Sequence, residues 1–136
     1  MREFYSKILL STERGDSCLE FNFDVFTAIA TKAYQTVDNP IFTLDEVLAV
    51  FGYYFQRFED TFGEVHPNIR MSRIKEIIER MPYIDDEHGH TQDLDPESYR
   101  DMIDQHFRTQ YRNCNYRIHH FFSGSIRTLR FYETLY

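Results

Sequence analysis

Residues 43–62 constrain the fold of this chain more than any other stretch. Thr43 and Glu46 are spaced as a capping box, in which each side chain satisfies an orphan backbone N–H of the first helical turn. From there Leu44, Val47, Leu48, Phe51, Phe55, Phe58 and Phe62 recur every three or four residues, the period of one helix face. Gly63 stands where a chain leaving a helix wants a left-handed residue. Start, face and stop agree. A long amphipathic helix with a phenylalanine-rich stripe is predicted here, and the stripe belongs in a core.

Other segments supply material to cover it. Val25, Phe26, Ile29, Ala33 and Val37 recur at helical spacing until Asn39-Pro40. Phe21 and Phe23 alternate like a short strand, while Asp24 is equally suited to open a helix. After the turn His66-Pro67-Asn68, the residues Ile74, Ile77, Ile78 and Met81 predict a second amphipathic helix stopped by Pro82. Residues 83–94, with Gly89 and little apolar content, read as an acidic loop. Asp95-Pro96-Glu97 offers an N-cap, a first-position proline and a first-turn acid. The helix expected over 95–112 places Tyr99, Ile103, Phe107 and Tyr111 on one face. Tyr116, Ile118, Phe121 and Phe122 follow, then a break at Ser123-Gly124-Ser125. Ile126, Leu129 and Tyr132 close with helical spacing, with a terminal strand as the alternative. Near the N-terminus, Phe4, Tyr5, Ile8 and Leu9 suggest a turn or two of helix, and residues 11–18 a polar loop. The expected fold class is all-α: one single-domain bundle of five or six helices over residues 1–136.

The chain length of 136 residues sits near the commonest domain size. Its 13 Phe and 10 Tyr are too much aromatic surface for a disordered chain, and some of it is expected at an interface such as a homodimer contact. Cys18 and Cys114 match no metal or redox spacing. The apolar run at residues 8–10 is too short for a signal peptide or a membrane span. A cytoplasmic protein with reduced thiols, away from membranes, is the expectation.

Charge is sorted along the chain. Residues 1–105 carry 21 acidic and 10 basic side chains, a formal −11, whereas residues 106–136 carry five arginines against Glu133, a formal +4. The acidic side peaks at 85–104, where Asp85, Asp86, Glu87, Asp93, Asp95, Glu97, Asp101 and Asp104 face only Arg100. Such a segment creates a local negative potential that steers a basic partner. Glu97, Asp101 and Asp104 step by four and three, so they share a helix surface. Asp85, Asp86, Glu87, Asp93, Glu97, Asp101 and Asp104 are the candidate partner-binding residues. The alternative surface is Arg108, Arg112, Arg117, Arg127 and Arg130, interleaved with Tyr116 and extended by Arg70, Arg73 and Arg80. It mixes cation and aromatic as nucleic-acid binders do, but a net charge of −7 argues against a dedicated nucleic-acid module.

Three patterns could carry other chemistry. His88 and His90 sit among Asp85, Asp86, Glu87 and Asp93, and His-x-His can bind zinc or another transition metal. The spacing fits no calcium-binding helix–loop–helix, and a solvated acidic loop explains it equally simply. No cofactor is implied. Arginine followed by histidine at a short interval characterises the HEPN domains, a family of small helical ribonucleases. Arg112 precedes His119 by seven positions and Arg100 precedes His106 by six. With 12 Arg and six His in the chain, about 1.6 such matches arise by chance, so they carry no weight alone. Cys114 with His119 or His120 has the residue types of a thiol nucleophile and its base, but no orienting third residue.

The stretch Tyr54-Phe55-Gln56-Arg57-Phe58-Glu59, continuing at Gly63-Glu64-Val65-His66-Pro67-Asn68-Ile69, and the ending His120-Phe121-Phe122-Ser123-Gly124 with Arg130-Phe131-Tyr132-Glu133 resemble small accessory proteins of phages and conjugative elements of Gram-positive bacteria. That pool includes anti-CRISPR inhibitors. The resemblance implies a non-enzymatic inhibitor or regulator that docks on a nucleic-acid-handling host protein. It supplies no residues for the role.

Overall fold

The structure is a computed structural model that describes residues 23–86, 88–111 and 114–135. The helix expected at residues 4–9, the loop at 11–18, and Phe21, Cys18, Glu87 and Arg112 lie outside the described residues. In chain order the elements are α1 (Phe23–Gln35), α2 (Leu44–Phe62), α3 (Met71–Arg80), β1 (Tyr83–Asp85), β2 (Thr91–Asp93), α4 (Ser98–Arg108), α5 (Ile118–Phe121) and α6 (Ile126–Thr134). Among the described residues, six helices and one small hairpin make a predominantly helical bundle, as the sequence predicts.

Helix α2 is the centre. Thr43 Oγ1 accepts from the Glu46 N–H at 3.1 Å and Glu46 Oε1 accepts from the Thr43 N–H at 2.8 Å, so the capping box is formed. Gly63 is left-handed at φ 71° and its N–H closes on Glu59 O at 2.8 Å. The buried face is broader than the stripe in the sequence. Val50, Gly52 and Tyr54 join Val47, Phe51, Phe55 and Phe58, because α1 and α4 pack on different sides of α2. Phe62, expected in the stripe, is 44% exposed. Phe26 of α1 meets Phe51 and Phe55 edge-on, with centroids 4.9 and 5.1 Å apart, a favoured aromatic arrangement. On α1, Phe23, Phe26, Ala30 and Ala33 form the inner face, whereas Val25 is 41% exposed.

The acidic loop expected at 83–94 is instead built around an antiparallel hairpin, with Tyr83 opposite Asp93 and Asp85 opposite Thr91. Ile84 is buried between exposed neighbours, the period-2 signature of a strand. The turn is set by Asp86, whose Oδ1 accepts the N–H groups of both His88 and His90 at 2.8 Å. Gly89 at φ 82° takes the left-handed position.

Helix α4 also differs at both ends. Residues 95–98 form a turn with i→i+3 bonds, and the α-helix begins at Ser98 rather than at Pro96. It ends at Arg108, because the Tyr116 phenol takes over the backbone beyond it. That hydroxyl donates to Thr109 O at 2.6 Å and accepts from the Tyr111 N–H at 2.8 Å. Tyr116 is itself left-handed at φ 62°, which costs an aromatic residue about 1–2 kcal/mol. Its carbonyl accepts from the buried Tyr54 hydroxyl at 2.6 Å, and its ring packs against His106 and Phe107. These contacts hold the strained backbone.

Candidate functional site

Two buried histidines lie beneath the charged surface. His66, 2% exposed, follows α2 at the turn before Pro67. Its Nδ1–H donates to Pro67 O at 2.7 Å, and its Nε2 accepts from the Ile118 N–H at 2.8 Å, satisfying an orphan donor at the start of α5. The ring is therefore neutral, and burial holds its pKa down to about 3. His106 on α4 is fully buried. Its Nδ1 accepts from Arg130 Nε of α6 at 2.9 Å, so the single ring proton sits on Nε2. Burial first, then the Arg130 guanidinium, hold its pKa at about 3.

This geometry decides what Cys114 can do. The structure brings Cys114 to His106, Sγ to Nε2 at 3.8 Å, rather than to His119 or His120. Because Nε2 carries the proton, the imidazole donates toward sulfur and cannot take the thiol proton, and burial raises the Cys114 pKa. The pairing has the wrong polarity for a thiolate nucleophile. Arg100 and His106 do not form a catalytic pair either, since Arg100 is exposed and His106 is sealed.

The acidic candidates separate into working and uncommitted groups. The Asp86 carboxylate is spent on its own turn, which lowers its pKa through the His90 and His88 N–H groups. Asp85 accepts from Thr91 Oγ1 at 3.3 Å and borders a cleft with Arg80 and Arg127. Asp104 is half-buried, accepts the Tyr53 hydroxyl and lies 3.2 Å from Arg57 Nε, though off the hydrogen-bond direction. Asp93, Asp95, Glu97 and Asp101 are exposed, with no side-chain hydrogen bond or ion pair among the described residues. Glu97 joins Glu46 on the rim of a groove between α2 and α4. Asp101 and Asp104 share a second cleft with Arg108 and Glu133. The side chains of His88 and His90 are exposed, with ring centroids 6.5 Å apart. Among the described residues no group of three or more His, Cys, Asp or Glu is arranged to hold a metal ion.

The basic candidates divide: Arg127 and Arg130 are engaged inside the molecule, whereas Arg108 and Arg117 are exposed. Arg130 is 4% exposed, stacked 3.4 Å over the Tyr111 ring and bonded to His106, with Glu133 at 3.5 Å. Arg127 Nη1 donates to Arg80 O, Tyr83 O and the Tyr99 hydroxyl at 2.7–3.0 Å, tying α6 to the hairpin. Arg108 is exposed and bonds Gln105. Arg117 is exposed at the start of α5. Two of the predicted basic residues, Arg73 and Arg117, come together with His120 around half-buried His119, whose pKa burial and then their charges depress. The roles of His66, His106, Tyr116 and Arg130 are not visible in sequence spacing. Each depends on a partner far along the chain. No helix among the described residues is long and apolar enough to cross a membrane. No protein-family model, curated protein or solved structure matches the chain.

Proposed function

We propose that the protein is a non-enzymatic binding module that docks through its acidic α4 end on a basic surface of a nucleic-acid-handling protein. The contrast in charge commitment carries this reading. Asp93, Asp95, Glu97 and Asp101 are exposed and uncommitted, whereas Arg127 and Arg130 are consumed by internal bonds. Uncommitted charges of one sign are what steer a complementary partner. The resemblance to mobile-element accessory proteins supports an inhibitor or regulator of the anti-CRISPR kind, acting in the cytoplasm of a Gram-positive host.

A second reading rests on the Arg73, Arg117 and His120 charges gathered around His119. It makes that surface a binder of nucleic-acid phosphate, or, with Arg112, a ribonuclease site of the HEPN type.

Capture from a nuclease-treated Gram-positive lysate separates the readings. Glu97→Lys with Asp101→Lys should lose the partner, and Arg73→Glu with Arg117→Glu should keep it. The opposite pattern, with capture abolished by nuclease, supports the nucleic-acid surface instead.

A further inference from the structure

The groove between α2 and α4 has a volume of about 410 Å³, within the size range of side-chain and ligand pockets. Its walls are apolar: Val50 and Ile103 are buried side chains, exposed Ala49 leaves the space open, and the Tyr53 ring forms one side. Tyr53 is fixed there because its hydroxyl bonds Asp104, one turn along α4 from Arg100. The rim is polar. Glu46 of α2 and Glu97 at the start of α4 both line it, and uncommitted Asp101 lies one turn beyond Glu97. Among the described lining residues the cation is Arg100, 5.7 Å from the Tyr53 ring centroid, over its face. An apolar slot inside an acidic rim matches a helix that presents bulky apolar side chains flanked by lysine or arginine.

We propose that this groove is the anchor point of the docking surface, and that it receives a basic amphipathic helix of the partner. The inference rests on the acidic-docking reading and adds the apolar contact that fixes position. Charge on the rim brings the helix in, and one or two apolar side chains in the slot hold it.

The test uses the full chain and a fluorescent 15-residue leucine–lysine amphipathic peptide, followed by anisotropy at low salt. A control peptide of equal charge has serine in place of leucine. Ala49→Trp fills the slot without changing charge, and Ala49→Leu does so more gently where the tryptophan variant fails to fold by circular dichroism. Filling the slot should weaken the leucine–lysine peptide at least tenfold and leave the serine peptide unchanged. Glu97→Lys with Asp101→Lys should weaken both.

If filling the slot is silent while charge reversal still weakens binding, the groove proposal falls and acidic docking stands. If filling the slot weakens binding but reversal is silent, the basic occupant is wrong and the acidic-docking reading falls with it. Self-association of the protein that is abolished by Ala49→Trp would assign the groove to a second copy. A gain in peptide affinity on Ile8→Glu with Leu9→Glu would assign it to residues 1–22. Either result overturns the proposal.

Discussion

Lowering the pH from 7 to 4.5 should unfold this protein far more readily than titration of its surface carboxylates would. His66 and His106 are neutral in the folded state with pKa values of about 3, against an ordinary value of 6.5. Their folded pKa is depressed, so the unfolded chain binds more protons below pH 6.5. Their contribution to stability is intact above pH 6.5 and is lost as the pH falls from there toward 3. Each pH unit below 6.5 costs about 1.4 kcal/mol per histidine, or about 5 kcal/mol for the pair at pH 4.5. That is a large part of the 5–15 kcal/mol typical of a domain. Glu59 works weakly in the opposite direction, since burial first and then Asp60 and Glu64 raise its pKa. Urea denaturation at pH 7, 5.5 and 4.5, read by circular dichroism, gives the slope. His66→Gln should roughly halve it. A change below about 1 kcal/mol between pH 7 and 4.5, or ring resonances assigned to His66 and His106 that titrate near 6.5 in the folded protein, would refute the neutral-histidine core.

Three further outcomes follow from packing. Phe55→Ala should cost about 3–5 kcal/mol in chemical denaturation, because Phe55 is fully buried between Phe26, Phe51 and His66; a loss under about 1 kcal/mol would show that α2 does not centre the core. Tyr116→Phe should cost about 1–3 kcal/mol by leaving Thr109 O and the Tyr111 N–H unpaired, and amide exchange at the end of α4 should accelerate. An unchanged exchange rate there would mean the phenol does not hold that end. Glu59→Gln should raise the urea midpoint by about 0.5 kcal/mol equivalent, since one Glu59 oxygen is buried without a hydrogen-bond partner in the structure beside two like charges; destabilisation would contradict the repulsion.

Helix α2 was legible because its start, face and stop signals are all local: Thr43, Glu46 and Gly63 act within a few residues of themselves. Helix α3 was legible for the same reason, with Ile74, Ile77, Ile78 and Met81 buried and Pro82 at its end. The hairpin escaped because each strand is three residues long, too short for alternation to register against a run of acids. Its signal was the turn, Asp86 with Gly89 three positions later. In α6 the apolar spacing of Ile126, Leu129 and Tyr132 pointed to the wrong inner face. Leu129 is 53% exposed and Arg130 is buried, because His106 and Tyr111, both in distant sequence, supply the guanidinium with partners. The same non-local bonds removed Arg127 and Arg130 from the basic surface. Glu97 and Asp101 stay exposed because no side chain among the described residues bonds them.

The most direct test of acidic docking is the association rate of the captured, purified partner as a function of salt, for the natural protein and for Glu97→Lys with Asp101→Lys. The natural protein should associate at least tenfold more slowly at 300 mM than at 30 mM salt, with a smaller change in dissociation. The reversed variant should be slow at both. An association rate indifferent to salt and to the reversal would contradict the account.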